Sequence, residues 1–295
     1  MKQLPTVSVV IPAYNEEDAI EKCLTSFLNQ TIQPLEVIVV DNRSTDRTAE
    51  LVRAFRAEHK DTVNIRLLKQ FDAQGILPTR DYGMAHAKGD VLGRIDADSV
   101  LDEGWVEAVQ DAFVDPEVAA ASGPVVYHDM PARNVGFRAD TQIRATLDKL
   151  AKKHRFLFGS NMAVRRDVWN AILPELCEDK EDKMHEDIDI ALHLFQSGYK
   201  VAYVPDMIGG MSARRLEDSP KDFYRYVMRF ENTYKAHGIK SASARIPIFI
   251  YLTTYFPMKF LRFTYDGDEQ KFTFDKFREL IKRRRGDRED DEIVI

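Results

Sequence analysis

The sequence predicts an α/β fold in which a mainly parallel sheet is flanked by helices on both faces. Over roughly the first 130 residues, short apolar runs alternate with segments whose apolar residues recur at helical spacing. The first run, Val7–Ile11, is almost continuously apolar, which is typical of a strand that is buried on both faces. Polar clusters follow three of the runs, at the sheet edge where parallel strands gather ligands.

Four strands are predicted first, each from an apolar run that ends at a proline or a polar residue. They cover Val7–Ile11, Leu35–Val40, Val63–Leu68 and Val91–Ile95. Helical spacing predicts helices between them, at residues 19–28, 44–56 and 78–87. Asn15 precedes the first of these helices, and we expect its side chain to cap that helix.

Further elements extend the sheet before the sequence changes character. Helices are predicted at Trp105–Phe113, Val135–Lys152 and Asp187–Gln196, and strands at Val118–Val126 and Tyr199–Val204. From Ser219 onwards the helical segments are rich in Phe, Tyr and Arg. We therefore expect an α/β domain over residues 1–215 and a helical extension over residues 216–295, with a disordered charged tail.

Composition excludes several classes of protein. The net charge of −6 argues against nucleic-acid binding, which needs a broad basic surface. Cys23 and Cys177 show no spacing typical of a zinc site, and Cys23 is expected in a buried helix face. The low cysteine content and the absence of a signal-peptide pattern in Met1–Thr6 indicate a reduced, cytoplasmic protein.

The segment Asp96-Ala97-Asp98 directly follows the fourth predicted strand. A divalent cation such as Mg²⁺ or Mn²⁺ takes oxygen ligands and readily shares one or two carboxylates with diphosphate oxygens. Two aspartates on one turn can therefore serve a nucleotide and a metal together. The alternative is a solvated turn, because this short motif is common, but its place after a buried strand favours a site.

Other polar residues are candidates for the same site. Asp41 ends the second strand, where its carboxylate could accept hydrogen bonds from a base or a ribose. Arg80 is either a surface residue or a cation that stabilises a departing diphosphate. Glu186 and Asp187 begin a predicted helix, where carboxylates suit the helix dipole. Their functional alternative is a general base that takes the proton of an acceptor hydroxyl.

Taken in order, these segments resemble the family-2 inverting glycosyltransferases, whose GT-A fold is a Rossmann-like, mainly parallel sheet flanked by helices. The matching segments are residues 7–16 (VSVVIPAYNE), 39–46 (VVDNRSTD), 79–83 (TRDYG), 96–98 (DAD) and 185–187 (HED). The resemblance covers roughly residues 6 to 215, and the order of the motifs makes it specific.

The resemblance implies roles at the matched positions. The base and ribose would be surrounded by Pro12, Ala13, Tyr14, Glu16 and Asp41. The remaining nucleotide contacts would come from Arg80, Asp96 and Ala97. Asp98 would bind Mg²⁺ or Mn²⁺. Asp187 would be the catalytic base, and Glu186 would support it. The loop under the donor sugar and the acceptor would be Gly159, Ser160 and Asn161.

The implied activity is transfer of a sugar from a nucleotide-diphosphate sugar, with a UDP-sugar favoured, to a hydroxyl of a glycan, a lipid-linked glycan or another cell-envelope precursor. Processive members carry Gln-x-x-Arg-Trp, where this chain has residues 212–216 (SARRL), and this favours addition of one sugar. Asn42-Arg43 replaces the usual Asp-Gly, so the base contacts should differ in detail.

Three other activities are the alternatives. A sugar-nucleotide nucleotidyltransferase would carry a glycine- and lysine-rich loop after the first strand, where this chain is acidic and lacks glycine. No GxGxxG follows a strand, which argues against a dinucleotide-dependent oxidoreductase. A non-catalytic relative that only binds a nucleotide sugar is the third, and the retained carboxylates argue against it.

The apolar, aromatic segment Ile246–Phe263 has two interpretations. It is marginal in length for a bilayer span and is interrupted by two prolines, Lys259 and Arg262, so we expect no crossing. It is either a packed helix pair or an amphipathic element on the inner face of a membrane. In the second case its cations and the run Lys282–Arg285 would suit anionic headgroups. Membrane contact through residues 246–285 and the oligomeric state are left open.

Overall fold

The computed structural model describes residues 4–131, 157–179, 181–239, 245–267 and 269–274 of the chain, and for positions 246 and 247 only the backbone. The helix predicted at Val135–Lys152 and the charged segments after residue 275 lie outside these ranges. Within them the strands are β1 (Val7–Ala13), β2 (Glu36–Asp41), β3 (Ile65–Lys69), β4 (Val91–Ile95), β5 (Val100–Leu101), β6 (Val118–Ser122), β7 (Val125–Tyr127), β8 (Asn161–Arg165), β9 (Lys200–Tyr203) and β10 (Gly209–Met211).

A seven-stranded sheet in the order β3-β2-β1-β4-β8-β6-β9 forms the centre of the fold. Its neighbouring strands pair in parallel, except that β8 lies antiparallel between β4 and β6. A smaller sheet in the order β5-β10-β7 lies beside it. The mainly parallel arrangement is the predicted one, and it brings the carboxyl ends of β1, β2 and β4 to one edge.

Helices cover both faces of the large sheet. They are α1 (Ile20–Leu28), α2 (Thr48–Glu58), α3 (Ile76–His86), α4 (Trp105–Ala112), α5 (Arg166–Ile172) and α6 (Glu186–Gln196). Helices α1, α2 and α4 pack on one core cluster, which includes Val9 and Ile11 of β1. Helices α3, α5 and α6 pack on the other, which includes Val10. Both faces of β1 are therefore apolar, as its continuous apolar run predicts.

Two local predictions were wrong. The single strand predicted at Val118–Val126 is broken into β6 and β7, which belong to different sheets. Between them a Cβ on Gly123 would lie 1.9 Å from the carbonyl oxygen of Met207, so only glycine permits this close approach of two backbones. Pro124 follows and has no N–H to offer a sheet.

The predicted cap of the first helix is the second error. Helix α1 begins only at Ile20 and has no side-chain cap. Asn15 has a φ of 53°, and its Oδ1 accepts a hydrogen bond from the backbone N–H of Thr45 at 2.8 Å. Its side chain therefore joins the loop after β1 to the loop after β2.

Two longer helices follow the sheet, α7 (Pro220–Ala236) and α8 (Arg245–Phe263), with a short hairpin of β11 (Tyr265–Asp266) and β12 (Lys271–Phe272) after them. The buried side chains Phe223, Val227 and Tyr255 join α7 to α8. The part of the chain that the structure describes contains no helix with the length and apolarity to cross a bilayer. The domain division at residue 215 stays a prediction.

Candidate functional site

The residues predicted to surround the base and the ribose lie at or just beyond the carboxyl ends of β1 and β2. Ala13 is the register partner of Asp41, so the last residues of the two strands lie side by side. Pro12 and Ala13 are buried, whereas Tyr14 is half exposed. The carboxylate of Asp41 accepts the backbone N–H of Ser44 at 3.1 Å, which holds this buried acid at the edge of the sheet.

The Asn42-Arg43 pair directly follows β2. The amide of Asn42 donates to the carbonyls of Gln70 and Ala73 at 3.0 and 2.9 Å, and its Oδ1 accepts from the N–H of Gly75 at 2.9 Å. Arg43 has a φ of 64°, in the left-handed region that favours glycine. This is the position where the related motif more often has glycine, so the backbone keeps the turn although the residue has changed.

The Asp96-Ala97-Asp98 turn follows β4 directly. The N–H of Asp96 donates to the Ser99 hydroxyl at 3.2 Å, and Ala97 is buried in the core. Asp98 is only 8% exposed. Burial, with the negative charges of Asp96 and Glu16, raises the pKa of Asp98 to about 7, although Arg214 opposes the shift. The turn therefore offers a buried carboxylate in a locally acidic environment.

Arg214 supplies the cation at this acidic turn. Its Nε lies 2.9 Å from Oδ2 of Asp98, and its two terminal nitrogens donate to the two oxygens of Glu16 at 2.7 and 2.6 Å. The hydrogen bonds to Glu16 are the first cause that raises the pKa of Arg214 above its ordinary value. Two carboxylates that converge on one positive charge are the hard oxygen donors that Mg²⁺ and Mn²⁺ prefer, so these residues fit a divalent cation.

The loop that carries Arg214 is anchored by Asp129. The hydroxyl of Ser212 and the backbone N–H of Ala213 donate to the Asp129 carboxylate at 2.5 and 2.9 Å. Arg262 of helix α8 binds the same residue, with 3.1 Å between its Nη1 and the Asp129 carbonyl and 3.2 Å between its Nη2 and Oδ2. Helix α8 therefore supports the loop from behind.

Sequence reasoning missed Arg94, which joins the two acidic motifs. It lies on β4 and is 3% exposed. Its Nη2 donates to Oδ1 of Asp96 at 3.1 Å, and its Nη1 is 2.9 Å from Oε1 of Glu186. The available signal was a cation inside the apolar run 91–95 (VLGRI), because a charge in a buried strand must find partners.

Glu186 and Asp187 begin helix α6 and have opposite electrostatics. Burial alone would raise the pKa of Glu186, but the charges of Arg94 and Arg80 outweigh it and hold that pKa below its usual range. Burial, followed by the adjacent Glu186 carboxylate, raises the pKa of Asp187. The pair therefore combines a stable carboxylate with one that gains a proton more readily, which is the electrostatic pattern of an acid–base site.

The loop at Gly159 holds Asp187 in place. The N–H of Gly159 donates to Oδ2 of Asp187 at 2.9 Å, and the N–H of Ile188 donates to Oδ1 at 2.9 Å. A Cβ on Gly159 would lie 2.0 Å from Nη1 of Arg94, so a glycine is needed where this loop crosses the arginine. Ser160 is partly buried, with its hydroxyl 3.7 Å from Sδ of Met211.

Asn161 differs from its neighbours in the loop because its side chain is fully engaged by protein groups. Its Oδ1 accepts from the Trp105 indole at 2.7 Å, and its Nδ2 donates to the carbonyls of Pro124 and Met207 at 2.9 and 2.8 Å. These contacts indicate a structural contribution beneath the loop.

Arg80 is not a surface residue, because its side chain is completely buried. Its Nε and Nη2 donate to Oδ1 of Asp81 at 2.8 and 2.7 Å, and its guanidinium stacks 5.1 Å from the ring of Trp169. Its Nη1 is buried and has no hydrogen-bond partner among the residues that the structure describes. The structure thus brings Arg80 close enough to influence Glu186, on the same side of the sheet as α6.

Comparison with known proteins agrees with this geometry. The model of the glycosyl transferase family 2 matches residues 8–173, and that of the glycosyl transferase family group 2 matches residues 94–261. The glycosyltransferase AglE of Haloferax volcanii is 28% identical over 75% of this chain and 72% of its own length. The O-antigen chain rhamnosyltransferase WbaN of Salmonella anatum is 29% identical over 68% of this chain and 64% of its own length.

A solved structure has the same fold. The mannosyltransferase PcManGT of Pyrobaculum calidifontis, solved in complex with GDP-Man and Mn²⁺, has a TM-score of 0.61 and 22% sequence identity, covering 88% of this chain and 72% of that chain. The family match covers more than half of this chain, and the sheet order and acidic edge agree with it. The chain therefore belongs to glycosyltransferase family 2 and is a hexosyltransferase-type enzyme with a GT-A fold.

Proposed function

We propose that this enzyme is a metal-dependent, inverting glycosyltransferase that moves one sugar from a nucleotide-diphosphate sugar, a UDP-sugar in particular, to an acceptor hydroxyl. The observation that carries the proposal is the buried bridge through Arg94, which contacts both Asp96 and Glu186. Through these contacts Arg94 joins Asp96, in the predicted nucleotide motif, to Glu186 at the start of helix α6. A donor at one end and an acceptor at the other would thereby be held in a fixed relative position.

The donor half of the proposal rests on the edge of β1, β2 and β4. Asp41 would accept an N–H of the base, because its carboxylate lies at the end of β2 with lone pairs beyond the one used by Ser44. Pro12 and Ala13 would form the floor and Tyr14 the open side, whereas Glu16 is bound by Arg214 and is 12% exposed. Asp98 would hold Mg²⁺ or Mn²⁺. A bound divalent ion would neutralise charge on the departing diphosphate.

In the proposed transfer step, Asp187 takes the proton of the acceptor hydroxyl. The acceptor hydroxyl would attack the anomeric carbon on the face opposite the diphosphate, its O–H proton would pass to the Asp187 carboxylate, and the bond from that carbon to the diphosphate oxygen would break. The raised pKa supports this role, because it brings the base nearer to the operating pH. Each oxygen of Asp187 accepts one backbone N–H, which leaves about two further lone pairs for the proton.

We also propose that the acceptor is a glycan precursor presented at a membrane surface. Helix α8 exposes a stripe of large apolar side chains, with Phe249 69%, Phe256 66% and Phe260 57% exposed. Lys259 and Arg262 point into the protein, where they bind the Asp218 carbonyl and Asp129. The expected headgroup contact of these two cations is therefore not supported, and the aromatic stripe carries the proposal instead.

A panel of sugar nucleotides tests the proposed donor. UDP-, GDP- and TDP-sugars should be compared by thermal shift with Mn²⁺, with Mg²⁺ and with a chelator, because a ligand of the folded state raises its Tm. The expected result is stabilisation by one UDP-sugar that requires the metal, followed by slow release of free sugar without acceptor. Stabilisation by a GDP-sugar alone would show that the donor carries guanine instead of uracil. Equal stabilisation with the chelator would overturn the metal requirement.

A further inference from the structure

We propose that Cys177, Asp189, His193 and His237 form a structural zinc site that is separate from the donor site. One potential ligand atom from each of the four residues lies within 4.8 Å of the others. The sequence showed no zinc spacing, because the four residues come from three separate segments. Asp189 and His193 are one turn apart on α6, Cys177 precedes that helix, and His237 ends α7.

The separations suit a tetrahedral ion. The Sγ of Cys177 lies 3.8 Å from Nε2 of His237, and Nε2 of His193 lies 3.5 Å from Oδ1 of Asp189. Zinc–ligand bonds of about 2.0–2.3 Å place neighbouring tetrahedral ligands roughly 3.2–3.8 Å apart. His237 and Asp189 are closer, with 2.6 Å between Nε2 and Oδ1, so this hydrogen bond would open by less than about 1 Å around an ion.

The environment of the cluster also suits a metal. The side chains of Asp189 and His237 are each 4% exposed, and that of His193 is 13% exposed. The Nε2 of His193 is buried and makes no hydrogen bond within the described part of the chain, although it faces a carboxylate. The other nitrogen of His237, Nδ1, lies 3.5 Å from the amide of Gln196, and Oδ2 of Asp189 accepts the N–H of Cys177. Such outer contacts orient metal ligands.

The chemistry of the four donors selects the ion. Two imidazoles, a thiolate and a carboxylate favour Zn²⁺ over Mg²⁺ or Mn²⁺, which take oxygen ligands. Four protein ligands leave no open position, so the site is structural rather than catalytic. The proton that zinc displaces from the Cys177 thiol goes to solvent, and no electron is transferred.

The consequence for the enzyme lies in the first turn of α6. Asp187 faces the Gly159 loop, whereas Asp189 faces the end of α7. An ion held by Asp189 and His193 would tie both Cys177 and His237 to the helix that presents the proposed base. The site would therefore stabilise the position of Asp187 without contacting substrate.

Metal analysis of the full chain tests the site. The Asp98→Asn variant should be used as the parent so that the donor site contributes little, and it should be dialysed against Zn²⁺ and assayed by mass spectrometry of the metal. We expect about one tightly held Zn²⁺ per chain. At a hundredfold excess of Zn²⁺ over Kd, the Tm should rise by roughly 4–5 °C.

Variants in the same parent separate this site from adventitious binding. His193→Gln with Cys177→Ser should abolish both the bound zinc and the Tm shift. His86→Gln, which removes a histidine on helix α3, should keep both. If the double variant folds poorly, the parent and Cys177→Ser alone are compared by absorption spectroscopy with Co²⁺ in place of Zn²⁺. The thiolate charge-transfer band of the parent should be absent from Cys177→Ser, while the far-UV circular dichroism should stay the same. Zinc retained by the double variant, no zinc in the parent, or no thiolate band would overturn the proposal.

Discussion

The Nε of Arg214 lies 2.9 Å from Oδ2 of Asp98, and the same guanidinium binds both oxygens of Glu16. A positive side chain thus contacts the carboxylate that we assign to the metal. A divalent ion and the Arg214 guanidinium would both bind the Asp98 carboxylate, so the two cations should compete for it. Arg214 begins a short 3-10 helix, Arg214–Glu217, and its half-exposed side chain can withdraw towards solvent when the ion and the diphosphate arrive.

Arg214→Ala should therefore strengthen Mn²⁺ binding to the donor-free enzyme. Removing the guanidinium leaves Asp98 and Glu16 without their cation, and a charge-assisted contact of this kind corresponds to about 1–1.5 kcal/mol, or roughly tenfold in Kd. Isothermal titration calorimetry with Mn²⁺ measures the change. Arg215→Ala is the matched control, because Arg215 pairs with Asp218 instead. Weaker or unchanged Mn²⁺ binding in Arg214→Ala would refute the competition.

Asp187→Asn should keep donor binding and lose transfer. Asparagine can still accept the N–H of Gly159, so the loop should stay in place, but it has no basicity for the acceptor proton. A positioned general base contributes about 10²–10⁴-fold, and we expect kcat to fall by that range. Asp222→Asn, in the first turn of α7 and away from the site, controls for helix-dipole effects. Full activity of Asp187→Asn in a radiolabelled-sugar transfer assay would remove the assignment.

The raised pKa of Asp187 predicts a pH effect on stability. The pKa of the Asp187 carboxyl is higher in the folded state than its unfolded value of about 3.9. The protonated carboxyl therefore favours folding at pH values below the unfolded pKa, and this contribution is lost as pH rises through the folded pKa. Asp187→Asn should then be more stable than the native enzyme at neutral pH, by on the order of 1–2 kcal/mol, and equal to it near pH about 4. Denaturant titrations at several pH values measure both. If the extra stability of Asp187→Asn did not change with pH, the raised pKa of Asp187 would not be its cause.

Arg94 should show strong coupling to Glu186. Arg94→Met leaves the largely buried carboxylate of Glu186 without this partner and should lower the free energy of unfolding by about 3–5 kcal/mol. Arg94→Met with Glu186→Met removes both charges and should recover part of that loss. The double-mutant cycle is measured by urea denaturation. Additive losses would show that the 2.9 Å contact carries no net energy.

Binding of anionic vesicles should depend on the aromatic stripe of α8. Replacing Phe249, Phe256 and Phe260 by serine should reduce co-sedimentation at least about tenfold, because each burial of a phenylalanine is worth about 1.5–3 kcal/mol. The folded state should tolerate these changes, since all three side chains are mainly exposed. Phe71→Ser, at a similarly exposed position in a loop distant in sequence, is the control. Unchanged sedimentation of the triple variant would contradict membrane contact through α8.

Local periodicity was sufficient to predict most strands of the large sheet, although not the antiparallel placement of β8 between β4 and β6. Continuous apolar runs identify strands that are buried on both faces, and the motifs at their ends follow from the direction of a parallel sheet. The break at Gly123 was missed, because its cause is the carbonyl of Met207, which is distant in sequence. The role of Asn15 was missed for the same reason, since its partner Thr45 belongs to another loop.

The candidate site was predictable only where one short segment carries the chemistry. The Asp96 and Asp98 pair and the Glu186 and Asp187 pair are each visible in the sequence. Arg94 was counted as part of a buried strand, and its two partners are revealed only by the fold. Arg214 and the Cys177 cluster depend on contacts between distant segments, for which periodicity carries no information.

The contact of Arg262 with Asp129 has a thermodynamic consequence. Asp129 also holds Ser212 and Ala213, so helix α8 and the loop of Arg214 share one anchor. If a ligand on α8 alters this anchor, it changes the affinity of the donor site for its cation. Linkage is reciprocal, so loading the donor site must change affinity at α8 by the same factor. Binding of the enzyme to a surface through α8 and binding of the cation at the donor site would then be thermodynamically coupled.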